Sequence, residues 1–256
     1  MKAGSGYILC AFLFLLCSCR KELKNDDNTG KSYIIHIIFQ PVVKGQPLIL
    51  HQPYTNAFGE DYTVTAFRFY MSALSLKNNN TSLPVTGEVK YRLADAAIGN
   101  TLSFTGTTDQ NTFNGISFQL GVDSSDNVSG AQSGDLDPAK GMFWTWNSGY
   151  IMAKLEGGSS FSTVPDGNFT YHIGGFSGEN KTMRSISLFT PQGQQITLKD
   201  NRITTVFVNA DIDKWFQGAH ALSIAFNAFV HSPGSLAKSY ADNYAGMFSI
   251  ASITEE

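Results

Sequence analysis

The chain has 256 residues, 15% of them charged, with a formal net charge of −3. That length suits one domain or a tight pair of lobes around a hydrophobic core. The slightly acidic balance, with no basic stripe, excludes nucleic acid as a partner.

The N-terminus reads as an address. Lys2 leads into YILCAFLFLLCSC, an apolar run of about a dozen residues, too short to span a bilayer as a helix. Leu16-Cys17-Ser18-Cys19 resembles the lipobox of bacterial lipoproteins. That resemblance implies a signal peptide over residues 1–18, a lipid on Cys19 and anchoring to the outer membrane, facing the periplasm or the cell surface. Several acyl chains on one cysteine hold a protein at a membrane far better than one. All three cysteines, Cys10, Cys17 and Cys19, lie in this segment. The remaining chain therefore has neither a disulfide nor a thiolate metal site. Residues 19–32 are charged and polar and cannot bury enough apolar surface to fold alone, so they are expected to be a flexible tether. Their basic-acidic run is similar to the surface-export signals of Bacteroidetes lipoproteins. Residues 33–256 are expected to form a single domain.

That domain opens with YIIHIIF, a β-branched and aromatic strand with His36 on the face of Ile34 and Ile38. LILHQPY is expected as a second short strand. DYTVTAFRFYMSALSL, residues 61–76, is the longest strand-like run, with Tyr62, Val64, Ala66, Arg68 and Tyr70 on one face and Phe67, Phe69 and Met71 on the other. Lys90–Ala94 is a further strand, with a helical turn after it. TLSFTGTT, FNGISFQLGV, MRSISLFT, GQQITLKD and TTVFVNADI alternate between turn signals. ALSIAFNAFV suits a helix or a buried strand, and Ser239–Ile250 a short terminal helix. About ten short strands without a fixed repeat predict an all-β fold, an antiparallel β-sandwich or Greek-key barrel with short helical segments. The many aromatics are ordinary strand and core residues, with a sugar-binding surface as the functional alternative.

No nucleotide-binding loop, zinc-protease helix or serine-hydrolase elbow is present, so the chain is not expected to be an enzyme. Chemistry-bearing residues concentrate between Gly121 and Gly175. Asp123, Asp126, Asp135 and Asp137 suit either a calcium loop or turn chemistry. No glutamate closes a twelve-residue loop, which favours turns. Trp144 and Trp146 would share one face of a strand. His172 carries a neutral imidazole, a good copper or zinc ligand, but useful affinity needs a second nitrogen brought to it by folding.

GVDSSDNVSGAQSGDLDPAKGMFWTWNSGYIMAKLEG followed by FTYHIGG resembles the MbnP-like family of exported, methanobactin-associated copper-binding proteins. PLILHQPYTNAFGEDYTVTAFRFYMSALSL and HSPGSLAKSYADNYAGMFSI extend the likeness over most of residues 33–250. The resemblance implies a β-rich, non-enzymatic protein binding one copper ion through histidine. It also implies a tryptophan oxidised to kynurenine, and a dihaem enzyme of the cytochrome c peroxidase type as the partner for that oxidation. Carried onto this chain, His172 is the candidate ligand and Trp144 and Trp146 are candidates for oxidation. Some relatives have a histidine just after the first strand's phenylalanine. Here Gln40 and Pro41 follow Phe39, and His36 is the substitute on that strand. The alternative is a surface lipoprotein that binds glycan or protein through exposed aromatics, with metal binding lost.

Overall fold

The computed structural model describes residues 1, 30–87, 89–146, 149–191 and 193–256. The leader beyond its first residue, Cys19 and most of the tether lie outside the described residues.

Two large sheets face each other. The first has β1 (Tyr33–Val43) at its centre, with β4 (Ser103–Thr108) on one side and β10 (Ile203–Asp211) then β12 (Phe248–Glu255) on the other. The second runs β9 (Arg184–Phe189), β5 (Gly115–Leu120), β2 (Asp61–Asn78), β7 (Gly149–Gly158), β8 (Asn168–Gly174) and β11 (Phe229–Val230). Strand β3 (Tyr91–Asp95) also pairs with β2, and β6 (Phe143–Trp144) with β7. The fold is all-β with short helices, as the strand pattern predicts. It is not wholly antiparallel, because β1 runs parallel to β10 and β8 parallel to β11.

The core between the sheets is aromatic. Phe39 from β1 meets Phe69 and Phe118 of the opposite sheet edge-on, at ring-centroid distances of 5.9 and 5.3 Å, and Phe248 of β12 at 5.8 Å. Edge-to-face contacts of this kind suit the aromatic quadrupole and add to simple burial.

Strand β2 does not keep one alternation along its length. Its pairing with β7 shifts where Glu156 faces Ala66 and Gly157 faces Val64. Tyr62 and Val64 therefore turn inward with Phe67 and Phe69, while Arg68 remains half-buried on the other face. A second irregularity accompanies Ala73, whose φ is 49°, and returns Leu74 and Leu76 to the core. An extra residue at a bulge reverses the facing of everything beyond it, so the two-face assignment is corrected at its start, where Tyr62 and Val64 join the face of Phe67 and Phe69.

Three segments differ from expectation. In LILHQPY only Pro53 and Tyr54 are strand, the start of a short strand Pro53–Thr55, since His51 has φ 65° and breaks the extended run. ALSIAFNAFV is mostly irregular, with one turn and an isolated bridge at Ala221, and contributes only β11 as a strand. The buried carboxylate of Glu60 accepts from the Ile224 and Ala225 N–H groups, 2.7 and 2.9 Å away, and from the Asn56 amide at 2.7 Å, replacing a ladder. The terminal helix is α2 (Ser235–Ala245), ending at Gly246, and the chain then leaves as β12 rather than continuing helical.

Candidate metal site on the outer face of the second sheet

On β8, Phe169, Tyr171 and Ile173 are buried in the core, so the intervening His172 and Gly174 face outward. Strand β7 repeats this with Lys154 and Glu156. Lys154 pairs directly with His172, and Glu156 with Thr170, which makes Glu156 and His172 diagonal neighbours. The Glu156 carboxylate Oε1 lies 2.5 Å from His172 Nε2 and 3.5 Å from Lys154 Nζ. Lys154 also donates to the Gly141 carbonyl at 2.8 Å.

Strand β11 brings in the second imidazole. Its Val230 pairs with Tyr171, and the next residue, His231, lays its ring on that of His172. The centroids are 3.8 Å apart and the planes 12° from parallel. The ring of Phe229 lies 4.2 Å from His231 on centroids. The Nε2 atom of His231 is buried and has no hydrogen-bond partner among the described residues.

The electrostatics follow from that crowding. The hydrogen bond from His172, helped by Lys154, pulls the Glu156 carboxyl down to about 2 against its burial. Burial pushes the His231 imidazole down to about 4, and His172 beside it works in the same direction. His231 is therefore neutral near pH 7 and keeps a free lone pair. Burial also lowers the ammonium of Lys154, with Glu156 opposing.

Trp144 covers the neighbouring outward position. A Cβ on Gly174 would lie 2.5 Å from its Cζ3, so only glycine leaves room for the indole. Trp144 is 5% exposed, and its Nε1 has no hydrogen-bond partner among the described residues. Trp146 lies beyond β6 in a turn and is 65% exposed, so the shared strand face is not formed. The two indoles nevertheless sit 5.5 Å apart on centroids.

The other sequence-selected residues lie elsewhere. His36 is half-buried on β1 with Thr105 and Thr205 as its register partners. Its face points away from the Ile35, Ile37 and Phe39 core, in the opposite sheet from His172. The two imidazoles emerge on opposite sides of the sandwich, so His36 does not join His172 in one site. The Asp cluster divides into caps and ion pairs. Asp123 caps α1 (Ser124–Val128) by accepting from the Asp126 N–H, and Asp137 accepts from the Ala139 N–H. Asp123 and Asp126 share Lys90, at 3.2 and 2.5 Å, while Asp135 pairs with Lys140 at 2.5 Å. These carboxylates are satisfied by turn chemistry and by cations.

Glu156, Lys154 and His231 are the site residues that sequence inspection passes over. The alternating charges at 154 and 156 inside the apolar run GYIMAKLEG were the available signal. His231 opens the HSPGSLAKSYADNYAGMFSI stretch, but nothing local marks it as a partner of His172, which is 59 positions away and joined to it only by the parallel β8–β11 pairing.

The donor chemistry fits copper. Two neutral-capable imidazoles and a carboxylate converge, and one buried imidazole nitrogen has no hydrogen-bond partner among the described residues. The orientation is not yet that of a closed cage, and among the described residues no group of three or more His, Cys, Asp or Glu side chains forms one. Imidazole lone pairs lie in the ring plane, so two stacked rings cannot both aim at one ion until one of them turns.

A family model described as MbnP matches residues 33–232. Among solved structures, MbnP from Methylosinus trichosporium superposes with a TM-score of 0.55 at 15% identity, covering 88% of this chain and 99% of that one. At that identity the match shows a shared fold. No curated protein matches the sequence.

Proposed function

This chain belongs to the MbnP family, and we propose that it is an exported, membrane-anchored copper-binding protein, with no catalysis of its own, that holds copper through His172 and His231. The observation that supports this most is the stacked imidazole pair at 3.8 Å, assembled from distant sequence on an outward face walled by Phe229 and Trp144. Imidazole suits both copper oxidation states, and copper leads the divalent affinity order.

His172 and His231 would hold the copper ion as cargo for metal acquisition or storage. The residues do the following. His172 is fixed by Glu156, and His231 is the ring that would turn, since its Nε2 has no hydrogen-bond partner to lose among the described residues. Trp144 keeps water off Gly174, beside His172. Its indole N–H is a donor only and cannot ligate, whereas kynurenine, the ring-opened product, would carry an aniline nitrogen able to do so. Trp144 lies over Gly174, two residues along β8 from His172, and Trp146 is open to solvent. A dihaem peroxidase-type partner is the proposed source of oxidising equivalents. Lipidation of Cys19 would hold the domain at the outer membrane.

Titration of purified protein with cuprous ion, before and after exposure to the oxidising partner, tests this. Expected is one copper per chain, lost in His172→Ala and in His231→Ala. Uptake unchanged in both variants would refute the site.

A second reading is supported by the exposure of Phe226 (89%) and Phe229 (55%), the reading in which exposed aromatics bind glycan or protein. Intact mass separates the two, because kynurenine formation shifts a tryptophan by a few mass units and ligand binding leaves no covalent mark.

A further inference from the structure

Given the copper site proposed above, we propose that Glu156 is a positioning residue rather than a ligand: it fixes the proton of His172 on Nε2, so that Nδ1 is the atom His172 offers to the metal. The geometry carries this. Oε1 of Glu156 lies 2.5 Å from Nε2 of His172. The same oxygen lies 3.5 Å from Lys154 Nζ, and an adjacent ammonium keeps the carboxylate ionised. An ionised carboxylate only accepts hydrogen bonds, so Nε2 must donate. In a neutral imidazole the other nitrogen then holds the sole lone pair.

The carboxylate is not free to leave. Glu156 and Lys154 project from the same face of β7, and Lys154 is itself tied to the Gly141 carbonyl at 2.8 Å. Moving Glu156 onto a metal would break its bond to His172 and strand a largely buried ammonium, which is costly. A ligating histidine whose second nitrogen donates to a carboxylate is oriented and made more basic by it, and loss of such a partner typically lowers metal affinity about 10- to 100-fold. His231, stacked on the ring that Glu156 immobilises, is then the partner that rotates. One imidazole is preset and one adapts.

The test has a metal-free arm and a copper arm. Long-range 1H–15N spectra of the folded, copper-free protein are expected to show His172 as the Nε2–H tautomer, and Glu156→Ala to give a mixture. In the copper arm, cuprous ion buffered by a chelator is expected to bind Glu156→Gln within about tenfold of the wild type, because the amide oxygen still accepts from Nε2–H. Glu156→Ala should bind about 10- to 100-fold more weakly. X-ray absorption of the loaded wild type should show nitrogen neighbours and no carboxylate oxygen from Glu156. An Nδ1–H tautomer in the wild type, a tautomer unmoved in Glu156→Ala, or a first-shell oxygen lost in Glu156→Gln overturns the proposal. Failure of the wild type to take up copper at all overturns the copper reading and the metal half of this one. The tautomer spectra still decide whether Glu156 sets the proton.

Discussion

The two outward faces of the sandwich carry the same residue type and put it to different use. On the first sheet, His36 sits between threonines, Thr105 and Thr205, on the centre strand. On the second, His172 sits among Lys154, Glu156 and the ring of His231, with Trp144 over the next outward position. Both are half-buried strand histidines, and neither contributes to the core. The difference is in their neighbours. The β8–β11 pairing adds a second imidazole, and the GYIMAKLEG strand supplies a fixed anion and cation. A histidine becomes a candidate ligand through what the adjacent strands project beside it, not through its own burial.

The largest expected effect separates the faces outright. His172→Ala should lower copper affinity by two orders of magnitude or more, roughly the loss of one of two imidazole ligands, whereas His36→Ala should leave it unchanged. Isothermal titration with a competing chelator reads both. Equal losses would mean that the second face is not special.

Gly174→Ala sharpens the comparison structurally. The added Cβ meets Trp144 at 2.5 Å and the Tyr150 carbonyl at 2.9 Å. Displacing the indole should cost about 1–3 kcal/mol in urea unfolding and red-shift the tryptophan emission as Trp144 meets water. A silent substitution would show that the indole is loosely held.

Acid should weaken the second face first. His231 titrates at about 4 in the folded chain, below its ordinary 6.5, so between those values the unfolded chain takes up a proton that the folded one refuses. Its contribution is complete above pH 6.5 and is lost as the pH falls toward 4. Glu156, held at about 2 against 4.5, extends the loss below pH 4.5. Both signs make stability rise with pH. Thermal melts of metal-free protein from pH 7 to 4 should show a declining midpoint, and His231→Gln should flatten that decline.

The smallest effect belongs to the first face. His36→Asn changes a side chain outside the core and should move stability by less than about 0.5 kcal/mol, read as the urea midpoint. A larger loss would assign His36 a structural contact that the threonine flanks do not suggest.

Much of the architecture was legible without coordinates, and the places where it was not have identifiable causes. Alternation located β5, β9 and β10 because a strand buried on one side must repeat every two residues. The same rule failed along β2, where the break near Thr65 and Ala73 reversed the facing of Tyr62, Val64, Leu74 and Leu76. It failed again in ALSIAFNAFV, whose backbone is satisfied by the Glu60 carboxylate, a partner no local pattern reveals. Within the site, His172 and both tryptophans stood out because they lie in one dense stretch. Glu156 lies in the same stretch but reads as part of an apolar strand, and His231 lies outside it.

The amino-acid order alone determined the strand-rich class, the absence of cysteine beyond residue 19, and the family, whose model matches residues 33–232. Tertiary structure decided which imidazole faces which. Contact between His172 and His231 depends on two strands running side by side in one sheet, and that register comes from burying Tyr171 and Val230 on the core side. Short-range preferences fix how each segment is built, whereas the meeting of two such segments is fixed by the whole core they help to close.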